Sequence, residues 1–145
     1  MSLKFGIFDH LERQRGISLQ QQYDERLKLM ARADELGFHG YHLAEHHQSA
    51  LCMAPSQNVF LAAAARETRR IMLGTMVYLL PFYHPLRLIE EICMLDNLTG
   101  GRLQVGVGRG ITAVEHTYWG WSPSEAQARY DEVLEIVIAG LSGDT

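Results

Sequence analysis

The sequence lacks a basic excess. Its 13 Lys and Arg stand against 17 Asp and Glu, a net charge of -4. That balance favours solubility and argues against a nucleic-acid surface. It also lacks long apolar runs; none reaches the ~18 residues of a membrane span. Cysteine is scarce: Cys52 and Cys93 are the only two, and their separation is not that of a metal site. They read as reduced thiols in a cytoplasmic protein, with Cys93 in a helix core. No linker or low-complexity segment divides the chain. The N-terminal Met1-Ser2-Leu3-Lys4 enters a strand-like run at once, which leaves no room for a secretory signal. What remains is one domain of 145 residues, 47% hydrophobic and 21% charged, with enough apolar material for a core.

Strand and helix patterns alternate along that domain. Leu3 to Phe8 reads as a strand. Leu19 to Leu36 reads as a helix with Tyr23, Leu27, Met30 and Ala31 on one face and Gly37 as its stop. Gly40 to Ala44 is a second strand, and Ser56 to Arg66 a second helix. Ile71 to Tyr78 is a nearly continuous apolar run, as in a strand buried on both faces. A third helix begins at Pro85, a favoured first helical position, and ends at Gly100-Gly101. Leu103 to Val107 is a fourth strand. Ser122-Pro123-Ser124-Glu125 is a capping box that opens a fourth helix. Its apolar face is Tyr130, Val133, Leu134, Val137, Ile138 and Leu141.

Repeated βα units connect right-handed and give a parallel sheet. Two architectures use them. A doubly wound sheet closes with about five strands, and periodicity alone favours it. A (β/α)₈ barrel needs eight strands and typically ~250 residues, so four units are half a barrel. Against the open sheet, strand one is not followed by a glycine-rich turn but by Asp9-His10-Leu11-Glu12-Arg13. Polar groups are spread over several strand ends, as at the top of a barrel.

The densest of these groups is Glu45-His46-His47, directly after strand two. Adjacent histidines make a poor metal chelate, since a helical chelate wants i, i+4 spacing. With Glu45 nearby, one imidazole is suited to act as a general base near neutral pH. The same tripeptide equally fits a surface histidine pair beside a solvated carboxylate. Gly106-Val107-Gly108-Arg109-Gly110 follows strand four. Its glycines admit close backbone approach, and Arg109 offers a fork for an anion; a tight βα turn is the competing account. Asp9 and His10 fit substrate contact or a loop cap. His84, held extended before a proline, fits a structural turn better than catalysis. Trp119 and Trp121 fit local packing better than a substrate wall.

Taken together, Ala44-Glu45-His46-His47, Leu73-Gly74-Thr75, His84 to Glu91, Leu95 to Arg102 and Gly106 to Gly110 resemble the bacterial luciferase family of flavin-dependent monooxygenases. The resemblance covers the whole of residues 1–145, as a single domain matching only the N-terminal half of a family member. It implies the first four βα units of a (β/α)₈ TIM barrel. It implies an enzyme that uses O₂ and reduced FMN, supplied by a flavin reductase, to oxygenate a small organic substrate such as an aldehyde. A related branch uses the deazaflavin F420 for hydride transfer. A flavin-binding or dimerising remnant without catalysis is the third alternative. By position, His46 is the catalytic histidine with Glu45 beside it, Arg109 approaches the flavin phosphate, and Gly108 replaces a reactive cysteine of luciferase. Met76-Val77 falls where the family often has a non-prolyl cis peptide behind the flavin ring. The remaining phosphate ligands and the lid belong to the second half, so this stretch is expected not to turn over alone. The half-barrel and the family's contact through helices two and three imply a homo-oligomer.

Overall fold

The computed structural model describes residues 3–143. Its elements are β1 (Gly6–Asp9), α1 (Leu19–Glu35), β2 (Gly40–Leu43), α2 (Gln57–Glu67), β3 (Met72–Leu79), α3 (Pro85–Thr99), β4 (Leu103–Gly108), α4 (Ala113–Tyr118) and α5 (Ala126–Ser142). Short 3₁₀ turns, Leu80–Phe82 and Pro123–Glu125, precede α3 and α5. The caps follow local chemistry. Ser18 Oγ accepts the Gln21 N–H at 3.0 Å, Gly100 ends α3 at φ +67, and Ser122 and Glu125 form the expected capping box.

The four strands lie in the order β1-β2-β3-β4, and every pair is parallel. A doubly wound sheet would reverse direction from a central strand. Here each strand pairs only with its sequence neighbours, and right-handed crossovers then set all helices on one face. This is half of a (β/α)₈ barrel, and it corrects the open sheet favoured by periodicity.

On the helical face, Tyr41, Leu43 and Leu73 pack with Met30, Ala33, Phe60, Leu61, Ala64 and Ala65. A second cluster joins Tyr78, Leu80, Leu88 and Ile92 to Val133 and Val137 of α5. The other face is lightly covered: Phe8, Met76 and Val105 are each 40% exposed or more. One register row runs Phe8, His42, Gly74, Gln104 across it. His42 Nε2 meets Gln104 Oε1 at 2.7 Å, spanning Gly74, where a Cβ would lie 2.5 Å from the His42 ring.

Two clamps close the lower end. Asp34 accepts N–H bonds from Arg69, Arg70 and Ile71 at 2.6–2.9 Å, tying α1 to the start of β3. Burial opposes its charge, but those three donors and the Arg70 guanidinium outweigh it and hold the carboxyl below its ordinary range. Arg102 donates to Thr99 O, Ile71 O and Thr68 Oγ1, joining the ends of α2 and α3 to β4.

Several expectations need correction. β1 starts at Gly6, not Leu3, because its neighbour β2 offers only four paired residues; Leu3 and Phe5 are exposed. Cys93 is exposed rather than core, since it follows the inward Ile92 by one residue, about 100° around the helix. Ile138 and Leu141 are also exposed, leaving Val133 and Val137 as the buried stripe of α5. The helix α4 was not anticipated. No helix among the described residues is long and apolar enough to cross a membrane.

Candidate active site

The strands end in a cleft of about 280 Å³. Its wall includes Glu45 and His46 after β2, Met76 and Val77 in β3, and Gly108 and Arg109 from β4. All six residues singled out by the resemblance therefore meet around one space. Leu79 and Ile111 add apolar surface, and Glu115 of α4 closes the far side.

Glu45 has no exposed side-chain surface. Its Oε1 lies 2.8 Å from His47 Nε2. Its Oε2 accepts from the Tyr83 hydroxyl at 2.8 Å and the Leu79 N–H at 3.2 Å. A carboxylate with these partners ties three segments together and faces no open solvent. Burial, the charge of Glu45 and the hydrogen bond to it push the Tyr83 hydroxyl far above its ordinary titration range, so Tyr83 is a donor at any working pH.

His46 is a quarter exposed at its side chain, and its Nδ1 lies 3.2 Å from Glu115 Oε1. The same oxygen accepts the His47 N–H at 2.8 Å. Glu115 is itself buried. A carboxylate at Nδ1 selects the tautomer that donates there and leaves Nε2 free for proton exchange. His10 stacks on His46, with centroids 5.4 Å apart and planes inclined at 18°.

The β3 and β4 ends explain the glycines. The Met76–Val77 peptide is cis, and the β3–β4 register is irregular between Thr75 and Tyr78. A Cβ on Gly106 would stand 2.4 Å from Thr75 O, and one on Gly108 would stand 2.5 Å from Val77. Gly106 thus accommodates the β3 backbone and Gly108 the Val77 side chain, whatever approaches from the cleft. Arg109 is exposed and forms no ion pair among the described residues. It is a free cation at the rim of an apolar cleft.

The other candidates have structural roles. Asp9 bonds the Leu11 N–H, the Tyr41 hydroxyl and the Arg26 guanidinium; it is the loop cap. His84 stands extended at the N-cap of α3 without a side-chain cap bond. Trp119 stacks on Phe82, and Arg129 lies 3.3 Å over the Trp121 ring, both local packing. Cys52 is buried, which raises its thiol. No group of three or more metal-type ligands occurs among the described residues. Sequence reasoning missed Glu115. The pattern Thr112-x-x-Glu115, a capping-box signature, was the available signal; in the structure Thr112 is the N-cap, but Glu115 turns to His46 and His47.

A sequential parallel sheet with its helices on one face, whose strand ends gather a His–Glu pair and an exposed arginine over an apolar wall, defines an α/β protein of the (β/α)₈ class. The luciferase-like monooxygenase family model matches residues 3–145, and the chain belongs to that family. It is 36% identical to the oxygenase component of the flavin-dependent trigonelline monooxygenase of Acinetobacter baylyi, over 79% of this chain and 32% of that protein. Among solved structures it is 41% identical to monooxygenase RslO1 from Streptomyces bottropensis, with a TM-score of 0.89, covering 94% of this chain and 42% of that one. It is 27% identical to the oxygenating constituent of 3,6-diketocamphane monooxygenase from Pseudomonas putida, solved with FMN. There the TM-score is 0.88, covering 94% of this chain and 39% of that one. The chain spans about a third of the length of the curated relatives it matches, 41% in one and 29% in another.

Proposed function

We propose that this chain forms the N-terminal, flavin-holding half of an FMN-dependent monooxygenase acting on a small organic substrate in the cytoplasm. A reductase partner supplies the reduced flavin, and the protein assembles as a homo-oligomer. The observation that carries this reading is the cleft itself. It joins a free Arg109, an apolar wall and the His46–Glu115 pair. The residues fit a flavin, which needs an anion partner for its phosphate and an apolar surface for its ring. The FMN-containing relative and the relative described as an oxygenase component support the cofactor and the reductase.

When bound, reduced FMN supplies the electrons that activate O₂. Arg109 holds the phosphate. Met76, Val77 and Leu79 keep water from the ring. His46 holds or passes a proton at Nε2, with Glu115 fixing its tautomer. Glu45 acts as a positioning residue that anchors His47 and the β3–α3 turn.

The test is a chimera in which residues 3–143 replace the matching stretch of a full-length relative, so that the second half is present. It is expected to bind FMN and consume O₂ with reductase and substrate. His46→Ala should lower turnover about 10²-fold with FMN binding retained. Preferential binding of F420 with hydride transfer would select the deazaflavin alternative instead. Binding of FMN without any oxygen uptake would leave a non-catalytic flavin holder.

A further inference from the structure

We infer that His10 is a positioning residue of the His46 centre, clamping the face of the His46 imidazole while Glu115 holds its edge.

Three observations lead there. The first is the anchoring of the loop that carries His10. On one side Asp9 is fastened to the Leu11 N–H, Tyr41 and Arg26. On the other, Leu11 is fully buried in the left-handed region at φ +54. Its carbonyl accepts from Met53 N at 3.0 Å and Gln22 Nε2 at 3.5 Å. A non-glycine residue in that region is uncommon and needs its surroundings to enforce it. With both neighbours drawn into the helical side, the His10 ring is left against Phe8 and His46.

The second is the stack. The 5.4 Å separation and 18° inclination lie within the range of offset-stacked rings. Phe8 meets the His10 ring edge-on at 4.8 Å, so His10 is itself braced from β1. The third is that His10 Nδ1 is buried and has no hydrogen-bond partner among the described residues. Of the contacts His10 makes, the one with His46 is through its ring face.

A single 3.2 Å hydrogen bond at Nδ1 leaves the His46 ring able to swing about its Cβ–Cγ bond and off the Glu115 carboxylate. A flat ring against its face removes that freedom and presents Nε2 at one angle, which proton transfer requires. The functional value of this rests on the monooxygenase reading; the clamp itself does not.

Two readouts test it. On the chain alone, ¹⁵N NMR of the histidine rings should show His46 as a single Nδ1–H tautomer in the wild type and in His10→Phe. In His10→Ala it should become a mixture. In the chimera, His10→Ala should lower kcat about tenfold with KM unchanged, and His10→Phe should restore most of it, because a flat ring is kept. His10→Leu, which keeps volume without a ring plane, serves if the alanine variant fails to fold, and should behave as alanine does. The clamp is overturned if alanine or leucine leaves the tautomer spectrum and kcat at wild-type values, or if phenylalanine is as impaired as alanine. An inactive chimera whose His46 spectrum still responds to His10 would count against the monooxygenase reading and not against the clamp.

Discussion

Glu45, His46 and Glu115 show how position within a few ångströms separates three titratable groups into different tasks. Glu45 is sealed behind three hydrogen bonds, whereas His46 reaches the cleft. Glu45→Ala is expected to cost about 3 kcal/mol of stability, since it strands His47 and Tyr83 beside a vacated charge site. Chemical denaturation of the two proteins measures this directly. Glu115→Gln keeps the shape but offers an amide where a carboxylate selected the tautomer. In the chimera it should reduce turnover roughly tenfold or more while the fold, read by circular dichroism, is unchanged. The residues around the cleft were legible because they sit in contiguous motifs at strand ends. Glu115 was not, because it lies on a six-residue helix too short to show periodicity. The division of labour within Glu45-His46-His47 was equally invisible, since hydrogen-bond partners 34 to 69 residues away decide it.

At the scale of elements, much of the motif that carries the family resemblance has a structural task. Arg102 binds carbonyls at the foot of the sheet, far from the cleft, and Asp34 closes the α1–β3 junction. A carboxyl held below its ordinary range contributes stability that is present above that range and lost as pH falls through the lowered value. Asp34→Asn should therefore lower the melting temperature at neutral pH. It should also flatten its fall on acidification, as melting curves between pH 2 and 6 would show. Gly74→Ala should destabilise by about 1–3 kcal/mol, because the new methyl meets the His42 ring and the Gln104 carbonyl. A variant as stable as wild type would mean the His42–Gln104 bridge yields without cost. The limits of α1, α2 and α3 were readable to within a residue or two because serine, proline and glycine mark them, whereas the Ser122 capping box opens a 3₁₀ turn and α5 begins only at Ala126. β1 was not readable, because an edge strand ends where its neighbour stops and no residue of its own records that.

For the whole molecule, periodicity gave the four βα units and the wrong closure. Four βα units satisfy either architecture, and the strand order that separates them depends on pairings no local pattern encodes. The half-barrel exposes Phe8, Met76 and Val105 on one side and Val59, Leu86 and Met94 on α2 and α3. Apolar area of this extent favours a partner. Light scattering at high concentration should therefore report an assembly larger than one chain, and a clean monomer would refute it. The sequential strand order has a further consequence, one of timing. Each strand pairs with the one synthesised just before it, so the sheet can be laid down in the order in which the ribosome releases it. Among the described strands, no pairing waits for more than the next βα unit. The newest strand is always the open edge, ready to template the next.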